Sequence, residues 1–228
     1  LRQGWALFVA NPGVWLACTV LVVVIYMGLH IVPLIGQVAA NLLMPVLGAG
    51  LLYLAKRQAA GETPEIPDLF VGFKERAGSL VVLGVIYSVA LVVVFLVVAL
   101  IVTGGVAGGV AGIAMGGGKP AGVGLGLGMM LGSMLLGSLL IGVLLAPLAM
   151  AMWFAPALVF CNAMEPVPAM KASFAACVAN WLVFLVYGVI LLVLGFFAAL
   201  PVGLGFLVFI PVVSGALYAS YRDIFVGA

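Results

Sequence analysis

Charge is what this chain has least of. Only 6% of its 228 residues are Asp, Glu, Lys or Arg, against roughly a quarter in soluble domains. That scarcity excludes a water-soluble globular fold. Histidine occurs once, at His30, and cysteine three times. Cys18, Cys161 and Cys177 are odd in number, lie in or beside apolar segments and lack paired ligand spacing, so they read as small packing residues. A net charge of +2, with no basic cluster beyond Lys56-Arg57, excludes nucleic acid as a partner.

Catalytic patterns are also missing. The sequence holds no metalloprotease helix motif, carboxylate pair, nucleophile elbow or Cys–His arrangement, so no catalytic residue, metal ligand or cofactor is assigned and an enzyme is not expected. Gly118-Lys119 is not a phosphate loop, because Ile113 stands where the first glycine belongs and Pro120 follows. Gly124, Gly126 and Gly128 follow no strand and make no dinucleotide fingerprint.

What is present is long apolar sequence. The few charges leave residues 3 to 55, 77 to 118, 120 to 164 and 172 to 221 uncharged. A helical span needs about 20 apolar residues, so each stretch accommodates two. Residues 14 to 32 alone contain eleven Leu, Ile and Val, each favouring insertion by roughly 0.3–0.6 kcal/mol near a helix centre. A β-barrel would alternate apolar and polar positions, which Val22-Val23-Val24-Ile25 does not. The expectation is an all-α integral membrane protein with about six transmembrane helices, at residues 13–32, 35–56, 79–103, 129–155, 181–200 and 203–221. The first apolar run is too long for a cleaved signal peptide and is followed at once by a second. It reads as a permanent helix, with the natural start expected upstream of Leu1.

Short amphipathic helices are expected before the odd-numbered spans. Leu69, Phe70 and Phe73 share one face against Asp68, Lys74, Glu75 and Arg76, and Met170, Phe174, Cys177 and Trp181 recur at helical spacing. An offset of 166 residues superposes Phe8 on Phe174, Trp15 on Trp181, Pro45 on Pro211 and Lys56 on Arg222. Phe70 and Pro147 occupy the corresponding places in a middle copy, 77 residues apart rather than 37. Within a single transmembrane domain, this predicts three repeat units at about 1–60, 64–160 and 165–228, each an interfacial helix plus a helical hairpin, with a Gly-rich insertion at about 103–128. Pro45, Pro147 and Pro211 each fall in the second helix of their unit, where neighbours can re-satisfy the freed carbonyl.

Arg2, Lys56, Arg57, Lys74, Arg76, Lys171 and Arg222 lie at the termini and between units, and only Lys119 lies in the opposite set of loops. The positive-inside rule then makes both termini cytoplasmic. Residues 79 to 116 as one helix would reach roughly 57 Å, nearly twice the hydrocarbon core, so breaks are expected at Thr103-Gly104-Gly105 and between Gly116 and Pro120. Gly104, Gly108, Gly112 and Gly116, with Gly124, Gly128 and Gly132, repeat at four-residue spacing. They are candidate faces for close helix packing or for a partner. Gln37 and Asn41, one turn apart on the second span, are a candidate polar pair in the bundle. No ionisable residue lies at mid-membrane; His30 is near the outer end of the first span.

Gly4-Trp5-Ala6-Leu7-Phe8 with Asn11-Pro12 and Trp15, Pro45 to Tyr53, Asp68-Leu69-Phe70 and Ser220-Tyr221-Arg222-Asp223 resemble an uncharacterised family of bacterial six-helix membrane proteins. Ala169 to Phe174 is similar to an element of the membrane domain that accompanies some glycerophosphodiester phosphodiesterases, although the catalytic domain is absent. The resemblance implies a multi-pass protein of the bacterial inner membrane, without an assigned activity. Two functions are expected to compete. One is a non-catalytic scaffold or accessory subunit of a membrane complex, with lipids and a membrane protein or a second copy as partners. The other is a carrier or channel for lipid or another uncharged or amphiphilic molecule.

Overall fold

The structure, a computed structural model, describes residues 1–33, 35–117 and 119–227. Gly118, within the expected break between Gly116 and Pro120, lies outside the described residues. The described residues form helices throughout and no strand: α1 (Arg2–Ala10), α2 (Pro12–His30), α3 (Ile35–Ala59), a 3-10 turn (Ile66–Phe70), α4 (Val71–Glu75), α5 (Ala77–Met115), α6 (Pro120–Trp153), α7 (Ala155–Cys161), α8 (Pro166–Ala179), α9 (Trp181–Ala199), α10 (Phe206–Tyr221) and a π-helical turn (Arg222–Val226). Prolines open α2, α6 and α8 at their first residue, where the missing N–H removes no helical bond.

Among the described residues, five helical stretches are long and apolar enough to cross a membrane: Pro12–His30, Ile35–Ala59, Ala77–Met115, Pro120–Cys161 and Trp181–Ala199. The sixth predicted span, residues 203–221, forms α10 over 16 residues. It is shortened by turns at 200–205, where Val202 and Gly203 take positive φ.

Backbone contacts divide the chain into two compact units. The first comprises Leu1–Ile86 and Met150–Ala228. Its centre is α3, where Val46, Leu47, Ala49, Leu52, Leu54 and Ala55 are almost fully buried. The 3-10 turn, α4, α2, α7 and α10 all pack on α3. Glycine permits the closest approaches: a Cβ on Gly50 would lie 1.9 Å from the Leu69 carbonyl oxygen. Helix α1 crosses α10 in the same way. A Cβ on Gly4 would lie 2.1 Å from the Val212 carbonyl oxygen, and one on Gly215 would lie 2.9 Å from Gly4 Cα. In lipid, where apolar contact with solvent gives no driving force, such backbone proximity is what holds helices together.

The second unit, Tyr87–Ala149, is a hairpin of α5 and α6 and contains the residues expected as the Gly-rich insertion. The break expected at Thr103-Gly104-Gly105 does not form. Helix α5 is continuous over 39 residues, about 58 Å at 1.5 Å per residue. In an apolar surrounding a freed amide has no water to bond, so glycines that loosen a helix in water remain helical. Thr103 Oγ1 adds a bond of its own to the Ala99 carbonyl at 2.6 Å. The chain reverses after Met115, with Gly117 at φ 56°, a left-handed value suited to glycine.

Candidate interaction faces

Within the hairpin, glycine sets how near α5 and α6 come. On α5 the approach uses Gly105, Gly109, Gly112 and Gly116. A Cβ on Gly109 would meet the Gly126 carbonyl at 2.5 Å, and one on Gly116 would sit 2.8 Å from Gly122 Cα. On α6 the matching positions are Gly122, Gly126, Ser133 and Gly137. Ser133 is buried and turns its hydroxyl to the Met130 carbonyl at 2.9 Å, so it offers a small, satisfied surface.

The predicted stripes therefore divide. Gly112 and Gly116 face α6, and Gly108 approaches only the Met129 methyl. Gly104, Gly124, Gly128 and Gly132 have open space where a Cβ would stand. Four residues advance a helix by about 400°, so a strict i, i+4 series drifts about 40° per step. Spacings that mix four and three, such as 105, 109, 112 and 116, stay on one face. That mixed spacing was the signal for Gly105, Gly109, Gly122, Gly126, Ser133 and Gly137. Around the outward glycines, Leu125, Leu127, Leu131 and Leu135 are exposed.

Gln37 is exposed and Asn41 half-buried on α3. Among the described residues neither amide makes a hydrogen bond; the Asn41 backbone lies instead where α5 comes close, at Gly84.

Polar side chains missed by sequence reasoning join segments of the first unit. Trp15 Nε1 donates to Gln58 Oε1 at 2.7 Å, and Gln58 Nε2 donates to the Leu7 carbonyl at 2.8 Å, tying α1, α2 and α3 together. Ser173 Oγ accepts from the Phe154 amide at 2.9 Å and donates to the Met150 carbonyl at 2.7 Å. It thereby docks α8 where α6 passes into α7. Tyr221 donates to Asn162 Oδ1. Arg57 pairs with Glu62 at 2.9 Å and with Asp68 at 2.6 Å, and Asp68 also accepts from the Glu65 amide at 2.8 Å. These groups end helices or face carbonyls that helix termini leave free, a role that composition and spacing do not reveal.

Beside this region, α1, the end of α3 and the end of α10 enclose a groove of about 270 Å³. Ala6, Leu7, Ala59 and Tyr218 supply its apolar walls, while Gln3 and Arg222 are its polar members.

These features define an all-helical protein with, among the described residues, five helices suited by length and composition to a membrane, together with small-residue packing faces and apolar outer surfaces. Compared with known proteins, the chain matches no family model, no curated protein and no solved structure.

Proposed function

We propose that the chain is a six-span protein of the bacterial inner membrane with both termini in the cytoplasm. It acts as a scaffold or accessory subunit, without a catalytic site. Three repeat units organise it, each an interfacial helix followed by a hairpin. In support of the repeat, Leu7, Leu69 and Ser173, which precede the superposed Phe8, Phe70 and Phe174, have comparable surroundings. Leu69 meets α3 at Gly50, Ser173 bonds Met150 and Phe154, and Leu7 packs on α10 at Gly215. Each short helix thus rests on the second helix of the preceding unit, and the first rests on the last.

The observation that carries the scaffold reading is the outer surface of the long helices. Only 6% of the most apolar stretch of α5, and of α6, is buried, while Gly124, Gly128 and Gly132 leave a smooth ridge with nothing against it. Lipid covers Leu and Val well. A glycine ridge favours another helix, whose backbone can approach closely.

The test is purification in mild detergent followed by native mass spectrometry and cross-linking. A stoichiometric complex, with itself or another membrane protein, is expected, weakened by Gly128→Leu. A clean monomer over the working concentration range would overturn the reading.

A further inference from the structure

We propose that the groove between α1, the end of α3 and the end of α10 binds the phosphodiester headgroup of an anionic phospholipid. The inference rests on the membrane reading above and extends it to a particular ligand class.

The groove's chemistry is one-signed. The residues that line it include Arg222 and Gln3 and no Asp or Glu, within a surface that is mostly apolar. Among the described residues Arg222 makes no ion pair, whereas Arg57 is taken by Glu62 and Asp68. A guanidinium offers a planar fork of donors that matches phosphate oxygens, and an amide adds a further N–H. The remaining walls, from Ala6, Leu7, Ala59, Tyr218 and Ala219, suit a glycerol backbone and the first methylenes of its chains. A volume of about 270 Å³ is at the small end for ligand pockets, enough for a headgroup region rather than a whole lipid.

Position argues for the same ligand. Arg222 is in the basic set that the positive-inside rule assigns to the inner leaflet, where anionic headgroups are concentrated. Trp5 on α1 is 53% exposed, and an indole with one apolar and one polar edge settles at headgroup level. The Gly4–Gly215 contact fixes α1 against α10, so two walls of the groove are set before any lipid arrives.

The experiment uses the full chain in nanodiscs of equal phosphatidylglycerol and phosphatidylcholine, with retained lipid counted by native mass spectrometry after release into the gas phase. Phosphatidylglycerol should be retained in preference, and Arg222→Gln should reduce that preference about fivefold. Ala6→Trp, which fills the groove and leaves the charge, should abolish retention. Lys56→Gln, which removes an exposed cation outside the groove, should change little. Equal retention by wild type and Arg222→Gln, an equal loss in Lys56→Gln, or displacement by millimolar inorganic phosphate would overturn the proposal. Should Arg222→Gln not fold, Ala6→Trp decides the matter: lipid retained at the wild-type level refutes it. Resistance of the same variants to carbonate extraction separates this outcome from failure of the membrane reading, because an inserted chain without lipid preference sinks only the groove.

Discussion

Gly48 and Gly50 stand two residues apart on α3, yet the structure gives them opposite fates on substitution by alanine. Either change should favour the helix itself by up to about 1 kcal/mol, through reduced backbone freedom in the unfolded chain. At Gly48 no atom lies within 4 Å of the new methyl group, so Gly48→Ala keeps that gain. At Gly50 the methyl carbon would stand 1.9 Å from the Leu69 carbonyl oxygen, 2.6 Å from its carbon and 2.9 Å from Leu69 Cα. All three are backbone atoms and cannot rotate aside. Overpacking costs roughly 1–3 kcal/mol, and contacts this short call for the upper end, leaving about 2 kcal/mol net after the helical gain. The turn at Ile66–Phe70 is a short segment held on α3 partly through Asp68 and Arg57, so it should lift locally before the bundle unfolds. Hydrogen exchange in mild detergent reads this directly: protection of the Leu69 to Gly72 amides should fall about thirtyfold in Gly50→Ala and stay level or rise in Gly48→Ala. Equal behaviour of the two variants would refute the claim that backbone proximity, rather than helix composition, makes Gly50 necessary.

Two further outcomes follow from the same contacts. In the hairpin, Gly126→Leu forces a side chain into the Gly109 carbonyl and Ile113 and should destabilise by about 2–3 kcal/mol. Gly128→Leu should leave the thermal melt of the isolated chain unchanged; a similar loss in both would mean the hairpin faces are assigned wrongly. Ser173→Ala strands the buried Phe154 amide and leaves the Met150 carbonyl only the weak Cys177 thiol at 3.6 Å; it should cost about 1–3 kcal/mol, read as a lower thermal midpoint in detergent and faster proteolysis near α8. An unchanged midpoint would show that these groups find other partners.

The helical class was legible from residues alone because lipid leaves the backbone few choices: uncharged runs near Val22 or Leu185 must satisfy their own amides. The start of the first span, expected at 13, falls within a residue of Pro12, whereas the helix expected from 129 begins at Pro120. The continuity of α5 through Thr103 was not. Glycine carries opposite meanings in water and in oil, and the water-based meaning suggested a break. The inward glycines of the hairpin were obscured by counting strict fours, which wind around the helix, when four–three alternation keeps one azimuth. Gln58 and Asn162 had no signal in one sequence, and Ser173 only its place in the Ala169 to Phe174 element, since their value lies in groups brought near by other segments.

The crossing of α1 over α10 bears on the order in which the molecule is made. Gly4 leaves the ribosome long before Val212 and Ala216, the residues of α10 against which it packs. Until α10 is made, α1 therefore waits beside its neighbours without its main contact. Synthesis of α10 is then the event that closes the bundle, and an abortive product that stops short of it leaves α1 loose, a handle by which quality-control proteases can tell it from a chain that contains α10.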